Sequence, residues 1–105
     1  MNKYRVLLSD AAAADVEVLA DYIALTLREP ATARQQTARL RAAVTSLDAL
    51  PARQPLVRDA YLASRGIRML PADGYLIFYT IQEETKTVHI LRIVHGKREW
   101  NALLP

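Results

Sequence analysis

The feature that most constrains this chain is a change of apolar spacing at Pro51. Before it, Val16, Leu19, Ile23 and Leu27, and then Ala33, Leu40, Val44 and Leu47, recur at three, four or seven residues, which is the period of amphipathic helices. Beyond it, residues 75 to 81 form a nearly unbroken apolar run and residues 87 to 94 alternate, as strands do. Helices and strands kept in separate stretches of chain favour an α+β architecture over alternating βαβ units.

Residues 3 to 8 open with a strand that sets Tyr4, Val6 and Leu8 on one side, and Ser9 and Asp10 then cap a helix. The Arg28-Glu29-Pro30 break starts a second helix at once, since proline suits a first helical turn. With so short a joint, residues 10 to 50 must form an antiparallel hairpin, with Arg34, Arg39 and Arg41 on its exposed side. Residues 51 to 66 read as an irregular connection. Strands are expected at 67–70, 75–81 and 87–94, the first two joined by the Pro71-Ala72-Asp73-Gly74 turn. In the last strand, strict alternation sets Val88, Ile90, Arg92 and Val94 on one side and His89, Leu91 and Ile93 on the other. Trp100, Leu103 and Leu104 have the spacing of a short docked helix. The expected fold is thus an N-terminal strand and a two-helix hairpin packed on a mainly antiparallel four-stranded sheet, with a short C-terminal helix. Its 105 residues suit one domain spanning 1–105.

Hydrophobic residues make up 51% of the chain and charged residues 24%, a balance that folds rather than remaining disordered. With no cysteine, disulfides and thiolate metal sites are excluded, and a reducing cytoplasm is the expected compartment. The apolar run before Ser9 is too short for a leader or a membrane span. The net charge of +3 is carried by the second half: residues 1–50 hold six basic and six acidic side chains, residues 51–105 eight and five. Such a bias suits nucleic acid, an acidic protein partner or simply a solvated surface.

Phosphate-loop, zinc-protease and serine-hydrolase signatures are all missing. His89 and His95 are separated by about 20 Å of strand, too far to share a metal ion, and no metal or cofactor is expected. What remains is a set of cations and aromatics in the last strands and tail: Arg68, Tyr75, Tyr79, Arg92, His95, Lys97, Arg98 and Trp100. Such residues hold phosphates and stack bases. In a metal-free nuclease, arginines would stabilise the scissile phosphate while a histidine moved a ribose proton. Each also has a structural reading. Arg92 can snorkel to the sheet margin or enter a working groove, His95 can be a turn residue, Trp100 can plug the core, Tyr75 and Tyr79 are ordinary strand residues, and Lys97 with Arg98 can be solvated charge.

The segments Gly66-Ile67-Arg68, residues 74–79 (Gly-Tyr-Leu-Ile-Phe-Tyr) and residues 90–100 (Ile-Leu-Arg-Ile-Val-His-Gly-Lys-Arg-Glu-Trp) resemble the C-terminal half of the RelE/ParE toxin superfamily. The Tyr4-Arg5-Val6 strand, the helix start with Asp15 and Tyr22-Ile23, and the helix ending before Pro51 are similar in order, so the resemblance covers the whole chain. It implies the toxin half of a type II toxin-antitoxin pair, neutralised by a cognate antitoxin that occupies the hairpin and the Trp100 tail.

The resemblance implies two activities on one fold: ribosome-dependent cleavage of messenger RNA, and inhibition of DNA gyrase that traps cleaved DNA. By position, the nuclease branch asks for basic residues at Ile67, Met69 and Leu76, an arginine at Arg98 and a tyrosine near Leu104; Arg98 alone matches. Arg68, Arg92, His95 and Arg98 would be the catalytic group of that alternative. Residues 76–79 and 90–96 look closer to the ParE branch, which implies an inhibitor protein rather than an enzyme, with Arg68, Tyr75, Arg92, His95, Lys97, Arg98 and Trp100 contacting target or partner. A third possibility is a non-toxic binding module of the same fold.

Overall fold

The computed structural model describes residues 3–22, 25, 28–96 and 104. Four strands, β1 (Arg5–Leu8), β2 (Arg68–Ala72), β3 (Tyr75–Gln82) and β4 (Thr87–His95), form one sheet in the order β1-β4-β3-β2. β1 runs parallel to β4, and the other two pairings are antiparallel. The apolar run of β3 therefore lies inside the sheet, where both faces of a strand need cover.

Helix α1 (Asp10–Asp21) is capped by Ser9, whose Oγ accepts from the Ala12 N–H at 3.0 Å and donates to the Leu91 carbonyl at 2.8 Å. Ile23 and Leu27 of the expected first helix lie outside the described residues. Helix α2 (Pro30–Thr45) starts on its proline, and Ala33, Leu40, Val44 and Leu47 are all buried as their spacing requires. It gives way to a single 3₁₀ turn at Ser46–Asp48, a few residues before the expected stop. The hairpin covers one sheet face, where Ala12, Val44 and Leu47 meet Ile77, Tyr79, Val88, Ile90 and Ile93.

Two expectations change. Residues 51–66 are not irregular throughout: after a 3₁₀ turn at Pro51–Arg53, a short helix α3 (Ala60–Ser64) is capped by the Asp59 carboxylate, which accepts from the Leu62 N–H at 3.0 Å. It ends at Arg65 and Gly66, whose φ of +77° is the left-handed conformation glycine adopts without strain. Strict alternation along β4 also fails. Phe78 pairs with Arg92 while Tyr79 pairs with Ile90, so Leu91 is an extra residue that bulges the strand. Val88, Ile90 and Ile93 consequently share the hairpin face, while Leu91 and Val94 join Val57, Leu62, Ile67 and Phe78 on the other.

β2 runs two residues further than expected, through Pro71 to Ala72, which an edge strand tolerates. Ala72 and Tyr75 are paired, leaving Asp73-Gly74 as a two-residue hairpin loop with φ of +54° and +79°; positive φ at both positions is the preferred turn between twisted strands. Leu104 is half-buried against the far-face cluster. Trp100 and Leu103, the rest of the expected tail stripe, lie outside the described residues. Among the described residues no helix is long and apolar enough to cross a membrane.

Candidate functional site

The β2–β3 loop, the end of β4 and the C-terminal end of α1 meet at one end of the molecule. Tyr75 and His95 are opposite each other in register, with ring centroids 5.3 Å apart and planes at 81°, an edge-to-face contact. His95 is exposed and Tyr75 half-buried. Burial first, and then Tyr22 nearby, push the Tyr75 phenol above its ordinary value, so it stays protonated at neutral pH and acts as a hydrogen-bonding group, not an anion. The loop is tied to α2 by an Arg39–Asp73 ion pair. The Gly96 N–H donates to the Gly74 carbonyl at 2.9 Å, and a side chain at Gly96 would meet that oxygen at 3.2 Å.

The two described arginines of the expected set lie elsewhere. Arg92 makes a side-on pair with Asp15 of α1, Nε to Oδ2 and Nη2 to Oδ1 both at 2.8 Å. The same carboxylate accepts the Ile93 N–H at 2.9 Å beside the bulge. Asp15 holds the Arg92 guanidinium firmly charged, raising its pKa against the effect of desolvation. Arg68 sits on edge strand β2 opposite Tyr79, four residues or about 13 Å from the Tyr75 end, and donates to the Gln54 carbonyl at 2.6 Å. Tyr79 is fully buried and donates to the Pro51 carbonyl at 2.6 Å.

Tyr75 and His95 are thus brought together, Arg92 stands three residues behind His95, and Arg68 is remote. Lys97, Arg98 and Trp100 lie outside the described residues. Asp15 is the residue that sequence reasoning passed over, although a signal exists: it shares the helical face of Ala12, Val16 and Leu19, just as Arg92 interrupts an apolar strand. Opposite charges on two facing apolar stripes are expected to pair.

A family model described as the ParE toxin of the type II toxin-antitoxin system parDE matches residues 6–100. The chain belongs to the ParE toxin family. Its fold recurs in the chromosomal ParDE toxin-antitoxin system from P. aeruginosa, with a TM-score of 0.75, 18% identity, and 92% of this chain and 100% of that one covered. The RelBE2 toxin-antitoxin complex of Mycobacterium tuberculosis matches with a TM-score of 0.63 and 26% identity over 89% of this chain and 98% of that one. The archaeal RelE–RelB complex of Pyrococcus horikoshii gives 0.56 and 15%, over 93% and 99%. Comparison with curated proteins returned no match.

For this ParE-family chain the positions at which the superfamily's nuclease branch wants polar groups can now be located. Ile67 is buried in the far-face cluster with Val57, Leu62, Phe78 and Val94, and Met69, Leu76 and Leu104 pack against it. These four of the five positions belong to one apolar body that includes Leu62 of α3; the fifth, Arg98, lies outside the described residues.

Proposed function

We propose that this ParE-family toxin arrests bacterial growth by trapping DNA gyrase on cleaved DNA, as an inhibitor protein and not a catalyst, and that a cognate antitoxin restrains it in the cytoplasm. In this reading residues 1–105 act as one domain. Support for the gyrase target comes from the far-face cluster: Ile67, Met69, Leu76 and Leu104 supply neither a cation nor a proton acceptor, Ile67 being a member of the cluster and the other three packed against it. Metal-free RNA cleavage needs both kinds of group at the phosphate, and losing one stabiliser alone costs about 100- to 1000-fold in rate. The contact surface in this reading is the Tyr75–His95 end together with Lys97, Arg98 and Trp100, while the Arg92–Asp15 pair steadies the strand that leads to them and Arg68 steadies the edge strand.

The antitoxin reading is supported by the solved ParDE and RelBE relatives, which are toxin-antitoxin systems and complexes, and by an apolar groove. Leu8, Ala13, Val16, Leu40, Val44 and Ile93 line a cavity of about 400 Å³ between β1 and the hairpin, with Glu17 and Arg41 also on its wall. An amphipathic antitoxin helix laid there would bury its apolar side in the groove.

The exposed His95 imidazole is the feature that favours RNA cleavage, as an acid-base group. Two assays separate the readings. The purified chain is expected to make gyrase accumulate cleaved plasmid, and primer extension on ribosome-bound message is expected to show no new ends. Codon-positioned cuts lost in His95→Ala or Arg98→Ala, with gyrase unaffected, would transfer the assignment to the nuclease. Inactivity of folded protein in both assays would leave a binding module.

A further inference from the structure

The far face of the sheet is divided in two. Toward the Asp73-Gly74 loop it is filled by the apolar cluster; toward the β3–β4 turn it carries Thr80, Gln82 and His89. Thr80 and His89 face each other in register, and His89 Nε2 lies 3.2 Å from Gln82 Oε1. These three, with Arg65, Ile67 and Leu91, line a cavity of about 330 Å³ whose wall contains no carboxylate among the described residues, at the lower end of the size range for small-molecule sites.

Arg65 reaches this cavity from the end of α3, where Gly66 turns the chain toward β2. Its guanidinium lies 5.9 Å from the centre of the Tyr61 ring and donates to the Tyr61 hydroxyl at 3.2 Å. It makes no ion pair among the described residues. In the adjoining turn Glu83 is occupied by Lys86 and Tyr4. The cavity therefore combines an arginine fork, an imidazole, a hydroxyl and a carboxamide, a donor set suited to a phosphoryl group. Tyr61 beside it is 61% exposed and offers a flat face for a base.

We propose that this cavity binds a nucleotide phosphate, free or within single-stranded nucleic acid, with the phosphoryl group on Arg65 and His89 and the base against Tyr61. The site shares no polar residue with the Tyr75–His95 end, so it stands whichever target that end engages. The test is titration of the full-length, isotope-labelled chain with inorganic phosphate, adenosine monophosphate and a short oligodeoxythymidine. All three are expected to bind saturably and to shift the Thr80 and His89 amide signals. Arg65→Ala and His89→Ala, with unchanged melting, should each weaken binding about tenfold. Tyr61→Ala should weaken the nucleotide and the oligomer but not inorganic phosphate. An oligomer bound more than tenfold tighter than the mononucleotide would identify nucleic acid as the source, and equal affinities a free nucleotide. Absence of saturable binding, or affinity undiminished in both Arg65→Ala and His89→Ala, would overturn the proposal.

Discussion

Asp15 ties α1 to β4, because one carboxylate accepts two bonds from Arg92 and one from the Ile93 amide. Both side chains are largely buried, at 14% and 20% exposed, so removing the carboxylate withdraws a partner from Arg92 and from the Ile93 amide at a place that water reaches poorly. Asp15→Ala should cost about 3 kcal/mol, the low end for a buried pair because some solvent access remains, read as a lowered denaturant midpoint. Asp15→Asn, which can still accept from the amide, should cost less. Tyr79 provides a second test. Burial raises its phenol, with Arg68 and Arg53 pulling weakly the other way, so the folded chain keeps this proton to higher pH than the unfolded chain. Its contribution to stability is complete below about pH 10 and is lost as pH rises from there through the folded-state value. Melting temperature should therefore fall above pH 10. Tyr79→Phe should lower stability by about 1 to 2 kcal/mol, through the unpaired Pro51 carbonyl, and flatten that alkaline decline.

At the level of elements, α3 depends on a glycine with φ of +77° and open space around it. Gly66→Ala meets no clash, so its cost should be conformational alone, about 1 to 2 kcal/mol, measurable by thermal melting. The groove beside the hairpin gives a different kind of prediction. Ala13 is exposed on its wall, and Ala13→Arg should abolish neutralisation by co-expressed antitoxin while leaving growth arrest intact. What could be read from the residues follows the strength of the local signal. Periodicity located both hairpin helices, and Pro71-Ala72-Asp73-Gly74 located the β2–β3 turn to within two residues, since each rests on interactions a few residues apart. The bulge at Leu91 could not be read, because it arises from the register between two strands and from a carboxylate on a helix more than seventy residues away. That missed bulge also left Arg92 unassigned between margin and groove. Helix α3 had a legible cap in Asp59 and a legible stop in Gly66, but the stretch is so short, and its prolines so prominent, that the turn signals dominated.

In the whole molecule the half of the far sheet face nearest the Asp73-Gly74 loop, where Ile67, Met69, Leu76 and Leu104 lie, is filled by an apolar cluster, and in the gyrase reading proposed above the Tyr75–His95 end and the tail engage the protein target. The hairpin side carries the apolar groove proposed for the antitoxin, and on the far side α3 and Leu104 cover only the apolar half, beside the cavity lined by Arg65, Thr80 and His89. The most direct test is the fraction of supercoiled plasmid converted to linear DNA by gyrase as the purified chain is added. Linear plasmid is expected to rise with dose and to return to background when the cognate antitoxin is present. A dose of folded protein that stops bacterial growth yet leaves gyrase-treated plasmid uncut would contradict the gyrase reading.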